Sequence, residues 1–193
     1  MTLNFKKKIL IATGGTGGHV FPAYSLARNL IKENYDINIS TDKRGLRFLK
    51  DYSDLKLNVI NSSTIFDKNL IYSLFSFFKI ILAIFKSCYL IIKKKPKIVF
   101  GMGGYSSFPV CVAAKLLGIP FFIYENNLVI GKSNKYLLPF AKKMFVSNLL
   151  LKGIKNKYKY KVFEVGNIIR QEIIDYESKN EKKLDYLSFL VSK

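Results

Sequence analysis

The chain has 193 residues, 49% hydrophobic and 15% aromatic, enough to bury one substantial core. Its net charge is +19, and Glu125 is the only acidic residue between Lys68 and Phe163, a field that favours anionic partners. No RNP motif, zinc-finger spacing or helix-turn-helix signature occurs, which sets nucleic acid aside. Cys88 and Cys111 stand alone in apolar surroundings, without metal spacing or a disulfide framework, as in a reducing, cytosolic compartment. The apolar run before the first glycines is too short for a signal peptide.

Ile9 to Ala12 reads as a buried strand running into Gly14, Gly15, Gly17 and Gly18. The only histidine, His19, follows at the mouth of this loop. Ala23, Leu26, Ala27, Leu30 and Ile31 recur at helical spacing, so a helix is expected after Pro22. A strand, a glycine turn and a helix N-terminus together suit a phosphate. No GK[ST] closes the loop as in a P-loop, and Val20 stands where a dinucleotide fingerprint needs its third glycine. A glycine-rich turn without a ligand is the alternative reading, as is a structural histidine.

Asp36 to Thr41 reads as a second strand, Arg44 to Tyr52 as a short helix and Leu55 to Ile60 as a third strand. Alternation of strand and helix points to a parallel sheet covered on both faces. Residues 70–92 are long enough to span a bilayer, but Lys79 and Lys86 interrupt them on one helix face, and Lys93, Lys94, Lys95 and Lys97 close the run. Three readings stand: a transmembrane helix, a helix packed on the sheet, and a packed helix whose outer face also rests on anionic lipid. The third accounts for both the aromatics and the basic flank, and it places residues 70–97 on a membrane surface.

Lys97 to Phe100 is expected as a fourth strand, entering a second glycine-rich turn with Gly101, Gly103, Gly104, Tyr105, Ser106 and Ser107. Pro109 falls in the first turn of the next helix, which runs to Leu117. Two such turns in one parallel sheet lie at its carboxyl edge, where ligands bind. Strand five, Phe121 to Tyr124, ends at Glu125, which is either a functional carboxylate or one that orients its loop. A helix begins near Gly131–Asn134. Lys142 to Ser147 and Lys161 to Val165 are strands six and seven, with a Lys-rich loop or short helix at 151–161 between them. Arg170 follows the last turn and suits a carboxylate or phosphate, or a surface ion pair. Residues 178–183 read as a polar linker after a domain of residues 1–177, and 184–193 as the first strand of an absent second domain.

GGTGGHVFPA at 14–23, GMGGYSSFP at 101–109, YENN at 124–127, GKSNKYL at 131–137 and VGNIIR at 165–170 resemble, in order and spacing, the MurG family. Its members are peptidoglycan glycosyltransferases that add N-acetylglucosamine to a lipid-linked muramyl-pentapeptide. The resemblance runs from about residue 7 to 191. It implies the N-terminal, Rossmann-like, acceptor-binding half of a two-domain (GT-B type) enzyme. The reaction implied is metal-independent, cofactor-free and inverting, from UDP-N-acetylglucosamine to the C4 hydroxyl of undecaprenyl-diphosphate-muramyl-pentapeptide. Carried over by matched motif, Thr16, Gly17, Gly18, Asn127 and Arg170 would contact the donor. Gly14, Gly15, Gly103, Gly104, Tyr105 and Ser106 would hold the acceptor diphosphate. His19 is the candidate base, with Glu125 the alternative or the group that orients it. The implied location is peripheral, on the cytoplasmic face of the inner membrane.

The chain departs from the family pattern at Tyr124 (histidine), Asn126 (glutamine) and Ile168 (proline), and above all in length. Without a second domain it is expected to have little or no transferase activity alone. A fragment, a frameshifted product and half of a split enzyme all fit that expectation, as do the membrane subunit of a two-chain glycosyltransferase whose second chain carries the nucleotide domain and a non-catalytic module that binds a lipid diphosphate.

Overall fold

The computed structural model describes residues 7–62 and 70–169. Arg170, the linker at 178–183 and the strand expected at 184–193 lie outside the described residues. The strands are β1 (Lys8–Ala12), β2 (Asp36–Thr41), β3 (Lys56–Val59), β4 (Ile98–Gly101), β5 (Phe121–Glu125), β6 (Met144–Val146) and β7 (Val162–Glu164). All pair in parallel, in the order β3-β2-β1-β4-β5-β6-β7. This is the doubly wound, Rossmann-like arrangement, with its order reversing between β1 and β4.

Period-two alternation along the strands builds two cores. Ile9, Ile11, Ile37 and Ile39 face α1 (Gly17–Lys32) and α2 (Lys43–Leu49), where Val20, Ala23, Ala27 and Leu49 close the packing. Leu10, Ala12, Val99, Phe121 and Ile123 face the opposite way. They pack under α3 (Leu70–Lys94), α4 (Ser107–Leu116) and α5 (Lys132–Leu137). The strands are apolar on both faces, as a sheet sandwiched between helix layers requires.

Helix α1 begins at Gly17 rather than after Pro22. His19 therefore sits in the first helical turn. Pro22 lies inside the helix, where its missing N–H leaves the carbonyl of Gly18, four residues back, without its helical partner. Asn126 Nδ2 supplies the missing donor, at 2.9 Å. The Lys-rich segment before β7 forms a short 3-10 helix, Asn156–Lys161.

Helix α3 buries Ile80, Ala83, Ser87, Leu90 and Ile91 and turns Phe78, Leu82, Phe85, Tyr89 and Ile92 outward. Those five outward side chains are 56–67% exposed and recur at spacings of four and three, so they form one stripe. Lys79, Lys86 and Lys93 run beside it at intervals of seven. Among the described residues, no helix is long and apolar enough to cross a membrane.

Candidate active site

The turns after β1 and β4 meet because those strands are neighbours. Their backbones interlock. A Cβ added to Gly14 would fall 2.5 Å from Ser106 Oγ, and one on Gly104 would fall 2.7 Å from the Gly14 carbonyl oxygen. Gly103 and Gly104 have φ of +85° and +76°, the left-handed region that a side chain rarely tolerates.

Asp42, the residue between β2 and α2, holds this junction together. Its Oδ1 accepts the Gly15 N–H at 3.1 Å and the Gly45 N–H at 2.8 Å. Oδ2 takes the Arg44 guanidinium at 3.2 and 3.0 Å, and the Ser106 hydroxyl donates to the same carboxylate. Burial pushes the Asp42 pKa up, but the two amides, Ser106 and Arg44 outweigh it and hold the carboxyl below its ordinary value. Sequence reading passed over Asp42. The available signal was an aspartate at a strand's carboxyl end, three residues before a glycine.

His19 packs its ring on Gly103, where a Cβ would lie 2.7 Å from Nδ1. Thr13 Oγ1 donates to the His19 carbonyl at 2.9 Å, tying the helix start to the end of β1. Burial lowers the imidazole pKa below 6.5. The charge of Glu125 and a hydrogen bond to the Met102 backbone pull it upward without cancelling that effect. The ring is therefore neutral at neutral pH and able to accept a proton.

Glu125 is 2% exposed, at the end of β5. Its Oε1 accepts from the Asn127 N–H at 3.2 Å and from Asn127 Nδ2 at 2.6 Å. Its Oε2 accepts from the Gly131 N–H at 2.8 Å and from Asn134 Nδ2 at 3.0 Å. With four donors, this carboxylate shapes the 125–134 loop and fixes the Asn127 side chain.

Next door, Tyr124 Oη donates to the Gly166 carbonyl and accepts the Ile168 N–H, both at 3.2 Å. A proline at 168 has no N–H to give, so the Tyr124 and Ile168 departures noted above are physically linked.

His19, Gly104, Tyr105, Glu125 and Asn127 line one open pocket of about 150 Å³, together with Gly131, Lys132, Ser133 and Asn134. Gly14, Gly15, Gly103 and Ser106 form the interlocked floor beside it. Thr16 caps α1 from an extended conformation, its side chain making no capping bond, and Gly17 and Gly18 open the first turn. The expected site residues among the described ones thus converge on one edge; Arg170 lies outside the described residues. Asn126 and Asn134 join them, two motif residues to which the sequence assigned no role.

Residues 9–146 match the family described as the glycosyltransferase family 28 N-terminal domain. The chain belongs to this family. A family relative in Pelagibacter ubique (strain HTCC1062) is 37% identical over 186 residues, 96% of this chain and 51% of its own. One in Bartonella henselae is 32% identical, over 95% of this chain and 50% of its own. Both carry the name UDP-N-acetylglucosamine–N-acetylmuramyl-(pentapeptide) pyrophosphoryl-undecaprenol N-acetylglucosamine transferase. The crystal structure of Acinetobacter baumannii MurG superposes with a TM-score of 0.68 at 28% identity, over 82% of this chain and 45% of that one. The chain spans about half the length of the curated relatives it matches. The family 28 assignment and the Rossmann-like half of a GT-B glycosyltransferase agree with the resemblance read from the motifs.

Proposed function

We propose that this chain is the acceptor-binding half of an N-acetylglucosaminyltransferase of peptidoglycan synthesis. The observation that carries the reading is the junction of two glycine turns beside a neutral, half-buried His19. It stands in a chain whose relatives bear the name of that transferase. The turns offer backbone N–H groups to the acceptor diphosphate, other than that of Gly15, which Asp42 already holds. Thr16, Gly17, Gly18 and Asn127 face the donor sugar nucleotide, with Arg170 assigned there by motif alone.

In this mechanism the C4 hydroxyl of the muramyl sugar attacks the anomeric carbon of UDP-N-acetylglucosamine. His19 takes the hydroxyl proton, the bond from the anomeric carbon to the diphosphate oxygen breaks, and UDP leaves with that electron pair. One displacement converts an α-linked donor to a β-linked product, with no metal assigned a role. Glu125 is the positioning group rather than the base, because donors occupy both its oxygens. Its charge favours the imidazolium as that forms.

The outward apolar stripe of α3 with Lys79, Lys86 and Lys93 is proposed to lie on the anionic cytoplasmic membrane face, beside the lipid substrate. A second chain or domain would supply the remaining nucleotide contacts.

Amide chemical shifts of the chain, titrated with a short-chain polyprenyl-diphospho-N-acetylmuramyl acceptor, test the reading. Shifts centred on residues 14–19 and 103–106 are expected. Their absence at saturating ligand would overturn it.

A further inference from the structure

Among the residues lining the pocket beside His19, Asn134 carries a buried side-chain oxygen that no group of the fold pairs. Asn134 is 1% exposed, in the first turn of α5. Its Nδ2 donates to the Tyr124 carbonyl at 2.9 Å and to Glu125 Oε2 at 3.0 Å. Two acceptors on one side of the amide fix its orientation, since turning it over would set oxygen against oxygen. Oδ1 is thereby left buried, and it has no hydrogen-bond partner. Buried polar atoms are bonded in the great majority of cases, and what sets this one apart from the other unpaired buried atoms is that its residue lines the pocket, where a ligand group can complete the pairing.

We infer that Asn134 Oδ1 is a recognition atom for the sugar of the bound acceptor, receiving a hydroxyl or acetamido N–H. This rests on the proposed function above. The chemistry selects a donor: a neutral amide oxygen only accepts, and so do the oxygens of an ionised diphosphate. The diphosphate therefore belongs at the glycine turns, and the sugar at the Asn134 end. The neighbouring acceptor, Glu125, already has its four donors. The acceptor is thus set with its charged end on the two turns and its ring across His19. That direction brings a sugar hydroxyl to the base.

Asn134→Ala separates this role from a purely architectural one when two probes are compared. One is a short-chain polyprenyl-diphospho-N-acetylmuramyl compound; the other is the same polyprenyl diphosphate without the sugar. Binding of each to the 193-residue chain is measured by titration calorimetry, with a thermal melt confirming that the variant is folded. The expected result is about a tenfold weaker Kd for the sugar-bearing probe, one hydrogen bond's worth, and an unchanged Kd for the bare diphosphate. Equal weakening of both probes, or of neither, overturns the inference while the acceptor-half reading stands. A native chain that binds neither probe overturns that reading and this inference with it.

Discussion

Asn126 Nδ2 donates to the carbonyl of Gly18 across 108 residues of chain, in the place of the helical N–H that Pro22 lacks. The bond ties the loop after β5 to the first turn of α1, and so brings the two sides of the pocket into register. Asn126→Ala should leave that carbonyl without a protein partner and cost about 1 kcal/mol of stability. Pro22→Ala restores a backbone donor. The loss caused by Asn126→Ala should therefore shrink when Pro22→Ala is already present, as read from denaturant midpoints in a double-mutant cycle. Equal losses in both backgrounds would mean that the proline and the asparagine are unrelated.

Gly103 is where backbone conformation and histidine packing coincide. Gly103→Ala places a methyl 2.7 Å from His19 Nδ1, at a φ of +85°. The substitution should cost about 1–3 kcal/mol and drive the imidazole toward water. Because the chain has a single histidine, its ring resonances titrate without overlap. The expected signature is a His19 pKa moving back up toward 6.5.

Burial holds His19 below 6.5 in the folded chain, so the unfolded chain binds that proton more readily. Stability should therefore rise with pH between the folded value and 6.5, and decline as pH falls through that window. His19→Asn should remove this slope in melts recorded across the range. Glu125→Gln removes the charge that favours the imidazolium, so it should lower the His19 pKa further in the same titration.

Tyr124 Oη holds the segment after β7 through Gly166 and Ile168. Tyr124→Phe should lower Tm by about 2–4 °C per kcal/mol lost, with a loss of about 1–2 kcal/mol for two bonds. Ile168→Pro removes only the N–H and should lose less, provided Tyr124 is present.

Much of this architecture was legible along the chain, for identifiable reasons. Glycine pairs at strand ends, a lone histidine and a single acidic residue in a basic stretch are local signals, and each fell at the same sheet edge. The outward face of α3 was readable from the seven-residue interval between Lys79 and Lys86. Asp42 had only a weak local signal, its place three residues before Gly45, because its role depends on Gly15 and Ser106, which approach it only when β1, β2 and β4 align. The start of α1 was misplaced because a proline usually occupies a first turn. Here Asn126, from a distant loop, satisfies the carbonyl that a proline deeper in the helix leaves open. The open oxygen of Asn134 is likewise visible only once its amide nitrogen has found Tyr124 and Glu125.

The stripe on α3 makes a separate prediction. Phe78→Asp with Phe85→Asp should reduce binding to vesicles containing anionic lipid by tenfold or more, because both side chains are over half exposed and their loss removes apolar area from the bilayer contact. Sedimentation with vesicles reads this directly, and neutral vesicles should bind the native chain more weakly. Unchanged sedimentation of the variant would remove α3 from the membrane account.

The most direct test of the central claim is a transferase assay with labelled UDP-N-acetylglucosamine and a short-chain lipid acceptor. The chain is assayed alone and mixed with a separately expressed second half of a family 28 relative. Turnover is expected only in the mixture, reduced at least about 100-fold by His19→Ala. A mixture that stays inactive although the chain is folded and binds the acceptor, or that keeps full activity without His19, would contradict that claim.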